Sequence, residues 1–162
     1  MTTLVQDFKP GARKLSQLST VLRTLRDFDV PVPGLQQPAA SRTVTLASFL
    51  DEVIVFASKT KPKKISAIGS DGRVYSYLLK GREDLKLDDR IMQFLSTVNY
   101  IFQENKDETS HDLRARTYSV VPLGKKSGLI QWVDKAPPIL DIYKQVNIKL
   151  SYFRIEYIRL CL

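Results

Sequence analysis

The chain has 162 residues, 43% of them hydrophobic, and a formal charge of +8 with an isoelectric point near 9.6. That length suits one domain or most of one, and the apolar share excludes a disordered composition. A single cysteine, Cys161, excludes an internal disulfide framework, and no apolar run is long enough to span a bilayer. At Met1 no signal-peptide layout is expected, because Asp7, Lys9 and Pro10 interrupt any hydrophobic core. The expected setting is the cytoplasm, with the nucleus second, since Lys59 to Lys64 has the composition of a localisation patch. Net positive charge suits a phosphate-rich partner. The basic run carries no interleaved aromatic, so direct binding to nucleic acid is not expected, and a membrane partner is not expected either.

From Lys14 to Phe28, Leu15, Leu18, Leu22 and Leu25 recur at helical spacing with Arg23 and Arg26 off the stripe. This predicts one amphipathic helix, ended by Pro31 and Pro33. Pro38 to Ser41 read as a loop and Arg42 to Leu46 as a short strand. Val53 to Ala57 and Ile65 to Ile68 are strands of β-branched and aromatic character, joined by the basic turn Ser58 to Lys64. Having no glycine, that turn would meet a phosphate through the Ser58 hydroxyl, backbone N–H groups and lysine charge. Gly69-Ser70-Asp71-Gly72 predicts a tight turn, with Asp71 and Gly72 supplying positive φ, that returns the chain antiparallel as Arg73 to Lys80.

On the returning strand Val74, Ser76, Leu78 and Lys80 share a face, and an isolated ammonium among apolar neighbours is costly. The next helix, from about Asp88 to Gln103, carries Ile91, Phe94, Leu95, Val98, Ile101 and Phe102 on one stripe, with Asp88 at its head. An ion pair between Lys80 and Asp88 is therefore expected at the sheet-helix junction. Spacing alone leaves two meanings open: a structural ion pair, or a carboxylate orienting a lysine whose other donors hold an anion.

Glu104 to Asp112 is polar and contains the one histidine, His111, which has no second histidine or cysteine beside it and is read as a loop residue. Arg114 to Val121 and Leu129 to Val133 predict a second hairpin around the basic turn Gly124 to Gly128. Trp132, the one tryptophan, has the size of a core aromatic. Pro137 and Pro138 then open a helix with Ile139, Ile142, Tyr143 and Val146 on one face.

Lys80-Gly81-Arg82-Glu83-Asp84-Leu85, Asp88-Asp89-Arg90-Ile91-Met92-Gln93-Phe94-Leu95 and Val98-Asn99 together resemble the N-lobe signature of the phosphatidylinositol 3-kinase-related protein kinases. Further pieces stand in the family's order: Val32-Pro33-Gly34, Ser58 to Lys64, Gly69 to Gly72, Tyr118-Ser119-Val120 with Pro122-Leu123-Gly124, and Ser127 to Val133. Within the family, Lys59 to Lys64 and Ser127 to Val133 are most similar to the branch of serine/threonine kinases acting in nonsense-mediated mRNA decay. The resemblance runs from about Leu18 to Gln145 and implies an α+β fold. That fold is a protein-kinase-like N-lobe, an antiparallel sheet packed on one long helix with a preceding N-terminal helix. It implies a helix and Pro-rich linker over residues 1–40, a partial catalytic domain over 41–147 and an unmatched tail over 148–162, of the kind left by truncation, alternative splicing or an incomplete gene model.

The same resemblance implies ATP as ligand at a half-built site, so that this chain alone is expected to bind it weakly or not at all. Lys80 would contact its phosphates, Asp88 with Glu83 would orient Lys80, and Ser58 would lie over the phosphates. The Val133 backbone would bond the adenine edge, the Trp132 ring, partly exposed toward a cleft, would bound the base, and Ile130 would stand behind it. No catalytic residue is assigned: the family's Asp-Arg-His and Asp-Phe-Gly strings, which belong to the C-lobe and bring magnesium, do not occur in this sequence. The implied function is the N-lobe of an ATP-dependent serine/threonine kinase, inactive by itself. Two other readings stand beside it: a non-enzymatic module competing for the protein partners of a full-length kinase, and a lipid kinase fragment.

Overall fold

The computed structural model describes residues 9–35, 42–104 and 114–147; the Pro38 to Ser41 loop, His111 and Cys161 lie outside them. Two compact units divide between Trp132 and Val133. The first is built on a seven-stranded sheet whose pairings are all antiparallel. Its strands are β1 (Gly11–Lys14), β2 (Leu46–Phe49), β3 (Glu52–Val55), β4 (Lys63–Gly69), β5 (Val74–Gly81), β6 (Val120–Gly124) and β7 (Ser127–Gln131). Its helices are α1 (Leu15–Leu18), α2 (Thr20–Thr24) and α3 (Lys86–Glu104). The strand order is β1-β3-β4-β5-β7-β6, and β2 lies beside β3 along the same edge of β4.

Alternation decides which face is core. Along β4, Lys63, Ile65 and Ala67 are buried while Lys64, Ser66 and Ile68 are half-exposed, and on β5 Tyr77 and Leu79 are the buried residues. Val53, Ile65, Ala67, Tyr77, Leu79 and Leu129 thus form the floor of the core, which Leu15, Leu18 and Val32 of the N-terminal segment cover. The Tyr77 hydroxyl, donating to the Pro33 carbonyl at 3.0 Å, ties that segment down, and burial pushes its pKa up to about 12.

Several sequence expectations are corrected. The single helix over Lys14 to Phe28 is two short helices, because Ser19 adopts an extended conformation (φ −156°) and uses its hydroxyl to cap the second, accepting from the Leu22 N–H at 3.3 Å. Leu15 and Leu18 are still buried, so the apolar stripe survives the break. In the turn after β4, Gly72 alone takes positive φ (74°), while Asp71 works through its carboxylate, accepting from the Arg73 N–H and the Tyr75 hydroxyl. The strand expected over Arg114 to Val121 begins at Val120; the preceding segment is held by Asn99, whose amide both donates to the Ala115 carbonyl and accepts from its N–H at 2.8 Å.

The α3 stripe also divides. The helix packs against β6, half-burying Asp88, Met92, Leu95, Val98 and Asn99, whereas Ile91, Phe94, Ile101 and Phe102 are exposed together with Leu87. The core face of the sheet is already covered by the N-terminal segment, so only one strip of the helix meets a strand. Asp84 accepts from the Lys86 N–H at 3.0 Å and starts the helix, and Asp88 and Asp89 in its first turn suit the positive end of its dipole. In the second unit a helix over 139–147 follows Pro138, whose carbonyl accepts from the Asp141 and Ile142 N–H groups. Its residues Ile139, Ile142, Tyr143 and Val146 are exposed.

Candidate functional site

The site is the face of the sheet opposite the core. Cross-strand register places Lys64 beside Leu78, Ser66 beside Ser76, and Leu78 beside Ile130 on that face, with Lys80 opposite Gly128. The two serine hydroxyls meet at 2.8 Å and satisfy one another. Ile130 also stands opposite the buried Val120, so the deep part of this face is apolar. Gly128 leaves room there: a Cβ would meet the Leu85 side chain at 2.7 Å and the Val121 carbonyl at 2.8 Å. Leu85, 1% exposed, plugs the gap and anchors the connection from β5 to α3.

Lys80 has a partner, and it is not the expected one. Its Nζ lies 3.0 Å from Oε2 of Glu83, while Asp88, half-buried in the first turn of α3, makes no ion pair with it. The chain turns through Arg82 in the left-handed conformation (φ 64°), which folds Glu83 back over the strand end and closes the pair within three residues. Thr60 of the basic turn also hydrogen-bonds Glu83 and, with Lys80, holds its carboxyl below the ordinary value of 4.5 against the opposing effect of desolvation. Glu83 therefore connects the turn to the strand end and leaves Lys80 with donors to spare.

The basic turn divides its lysines between the two faces. Ser58 is exposed; its N–H bonds the Phe56 carbonyl and its carbonyl accepts from Lys61, which closes the glycine-free turn at φ 45°. Lys63 points to the core side, 4% exposed, and donates to the Lys61 carbonyl at 3.2 Å. Lys64 points to the site side, where its Nζ lies 4.5 Å from the centre of the Trp132 ring.

Trp132 is half-buried, its backbone N–H donating to the Ser76 carbonyl at 2.9 Å just beyond the end of β7. The ring reaches across β5 to lie against Phe56, with centroids 5.8 Å apart and planes at 16°. It is a wall of the open face, not a member of the core cluster. Val133, half-exposed, opens the second unit. Phe56 was missed by sequence reading, and Thr60 and Lys64 were read only as members of the basic turn, although the alternation that puts Leu78 and Ile130 on this face also puts Lys64 there.

This arrangement offers a cation with free donors, an aromatic wall and an apolar back, which fits a ligand with an anionic end and a flat ring. No group of three His, Cys, Asp or Glu able to hold a metal ion occurs among the described residues. A separate groove of about 640 Å³ runs between α3 and the segment before β6, lined by Leu35, Met92, Ser96, Tyr118, Ser119 and Gln131 among others. None of the residues expected to hold ATP lines it. No helix among the described residues is long and apolar enough to cross a membrane.

The fold is that of a kinase-like N-lobe, and the comparisons agree. Residues 74–155 match the family model for phosphatidylinositol 3- and 4-kinase, and the chain belongs to that family. The match continues past Gln145, where motif-by-motif resemblance stops. The chain is 46% identical over 132 residues to the serine/threonine-protein kinase SMG1 of Danio rerio, covering 82% of this chain and 4% of that protein. It is 52% identical over 101 residues to the probable serine/threonine-protein kinase smg1 of Dictyostelium discoideum, covering 62% and 4%. Among solved structures, the open conformation of CtTel1 superimposes with a TM-score of 0.75 at 27% identity, over 86% of this chain and 6% of that one. The chain thus spans a small fraction of the length of the relatives it matches.

Proposed function

We propose that this chain is the nucleotide-holding lobe of a serine/threonine kinase of the SMG1 type, acting in the cytoplasm, with the nucleus second. The observation that carries the reading is that Lys80 and Trp132 stand on one open face of the sheet, with Leu78 and Ile130 between them. In this reading Lys80 binds the ATP phosphates, and Glu83, not Asp88, holds the ammonium in place. Ser58 lies over the phosphates, Trp132 bounds the adenine, Ile130 backs it and the Val133 backbone bonds its edge. Asp88, in the first turn of α3, is left outside that pair. Magnesium, when bound, would supply neutralisation of the phosphate charge, and its ligands would come from outside the described residues.

Alone, this chain would transfer no phosphate, since positioning phosphates supplies neither the base nor the metal that the transfer needs. Saturation-transfer NMR with millimolar ATP tests the binding half: the adenine protons should receive saturation from the protein, and Lys80→Ala should weaken the effect. Absence of adenine saturation in the parent chain would overturn the reading. Radiolabelled ATP with magnesium tests the other half, and transfer above background that disappears in Lys80→Ala would show that the chain carries catalytic groups of its own. A second reading, a non-enzymatic module competing for the protein partners of a full-length kinase, is favoured by the exposed apolar residues Leu87, Ile91, Phe94, Ile101 and Phe102 of α3.

A further inference from the structure

We infer that Lys64 is a positioning residue for the base: through its ammonium it holds the Trp132 ring flat across the site face, and it is not one of the phosphate-binding lysines. The inference rests on the nucleotide reading above and adds a division of labour within the basic run Lys59 to Lys64. Three observations place Lys64 on the base side. It lies within β4, opposite Leu78, and not in the exposed turn that holds Ser58. Its Nζ stands 4.5 Å from the Trp132 ring centre, within the distance at which a cation is attracted to an indole face. Phe56, one residue past β3, stacks on the same ring, so the indole is held by two residues from the far side of β5 while its own backbone is fixed to Ser76.

The physical reason for such a device lies in the reach of the side chain. Trp132 stands just beyond the end of β7, yet its ring has to lie across β5 to form a wall. A ring free to rotate would lose conformational entropy each time a base stacked on it. Phe56 and Lys64 remove that freedom beforehand, the first by contact area and the second by charge. Arginine would preserve the charge and also suits an aromatic face, whereas methionine would preserve bulk alone.

Trp132 is the only tryptophan, so the intrinsic fluorescence of the full 162-residue chain reports this ring directly. Three proteins are compared: the parent, Lys64→Met and Lys64→Arg. Without nucleotide, Lys64→Met should raise acrylamide quenching and lower the emission anisotropy of Trp132, Lys64→Arg should restore both, and all three should unfold at the same denaturant midpoint. With ATP titrated into the millimolar range, Lys64→Met should weaken the fluorescence-detected affinity about two- to fivefold, the effect of a half-exposed cation–π contact, and Lys64→Arg should restore it. If the parent responds to ATP and Lys64→Met responds with equal affinity and unchanged quenching, the role of Lys64 is overturned while the nucleotide reading stands. Affinity that falls equally in Lys64→Met and Lys64→Arg with unchanged quenching would return Lys64 to the phosphates. A parent chain whose Trp132 does not respond to ATP overturns the adenine reading, and the base-side role of Lys64 with it.

Discussion

At the scale of single residues, the most informative result is that Lys80 pairs with Glu83. A sequence shows that a lysine on a half-apolar strand face needs a carboxylate, and it shows two within reach. Which one is nearer depends on Arg82 taking a left-handed conformation, and nothing in the local composition marks an arginine for that role. The pair has a pH signature. Because the folded-state pKa of Glu83 is depressed, by Thr60 first and Lys80 second, its stabilising effect is complete above the ordinary value of 4.5 and lost as pH falls through the folded value. Denaturant midpoints of the parent and Glu83→Gln should therefore differ by a constant amount near neutrality and converge in acid; a gap that widens below pH 4.5 would contradict the assignment. Gly128 gives a steric counterpart. Gly128→Ala should cost about 1–3 kcal/mol, since the new methyl collides with a side chain that is itself buried and with a backbone carbonyl.

Among the elements, strands with clean alternation were legible and polar or interrupted ones were not. The strand regions around β3, β4, β5 and β7 and the long helix follow from β-branched runs, a glycine turn and helical spacing. β1, Gly-Ala-Arg-Lys, has no alternation to read and exists because β3 offers it an edge. The α3 stripe was legible as helix, but which side faces the sheet was not, since apolar residues occur on more than one side. This gives a contrast in stability: Leu15→Ala, at a site 1% exposed, should cost about 2–5 kcal/mol, whereas Phe94→Ala should change the unfolding free energy by less than about 0.5 kcal/mol. Asn99→Ala, which leaves the Ala115 N–H and carbonyl without their amide partner, should cost about 1–3 kcal/mol and raise hydrogen exchange across 114–119.

For the whole molecule, the motifs identified the family and the sheet explains why they are scattered along the chain. Ser58, Lys80 and Trp132 are separated by more than twenty residues each in sequence, and antiparallel register brings the last two to one face. The aromatic contact of Phe56 with Trp132 was illegible for the same reason: it depends on a side chain crossing a whole strand, which periodicity along one segment does not record. The central claim is that Lys80 stands where the phosphates of ATP would lie while Lys63, turned to the core side of the adjacent strand β4, does not. An acyl-phosphate derivative of ATP, which acylates lysines adjacent to bound phosphates, tests this directly when labelled sites in the intact chain are mapped by mass spectrometry. The account predicts modification of Lys80 that excess free ATP prevents, with Lys63 unmodified; labelling spread over the exposed lysines without protection by ATP, or protected labelling that omits Lys80, would contradict it.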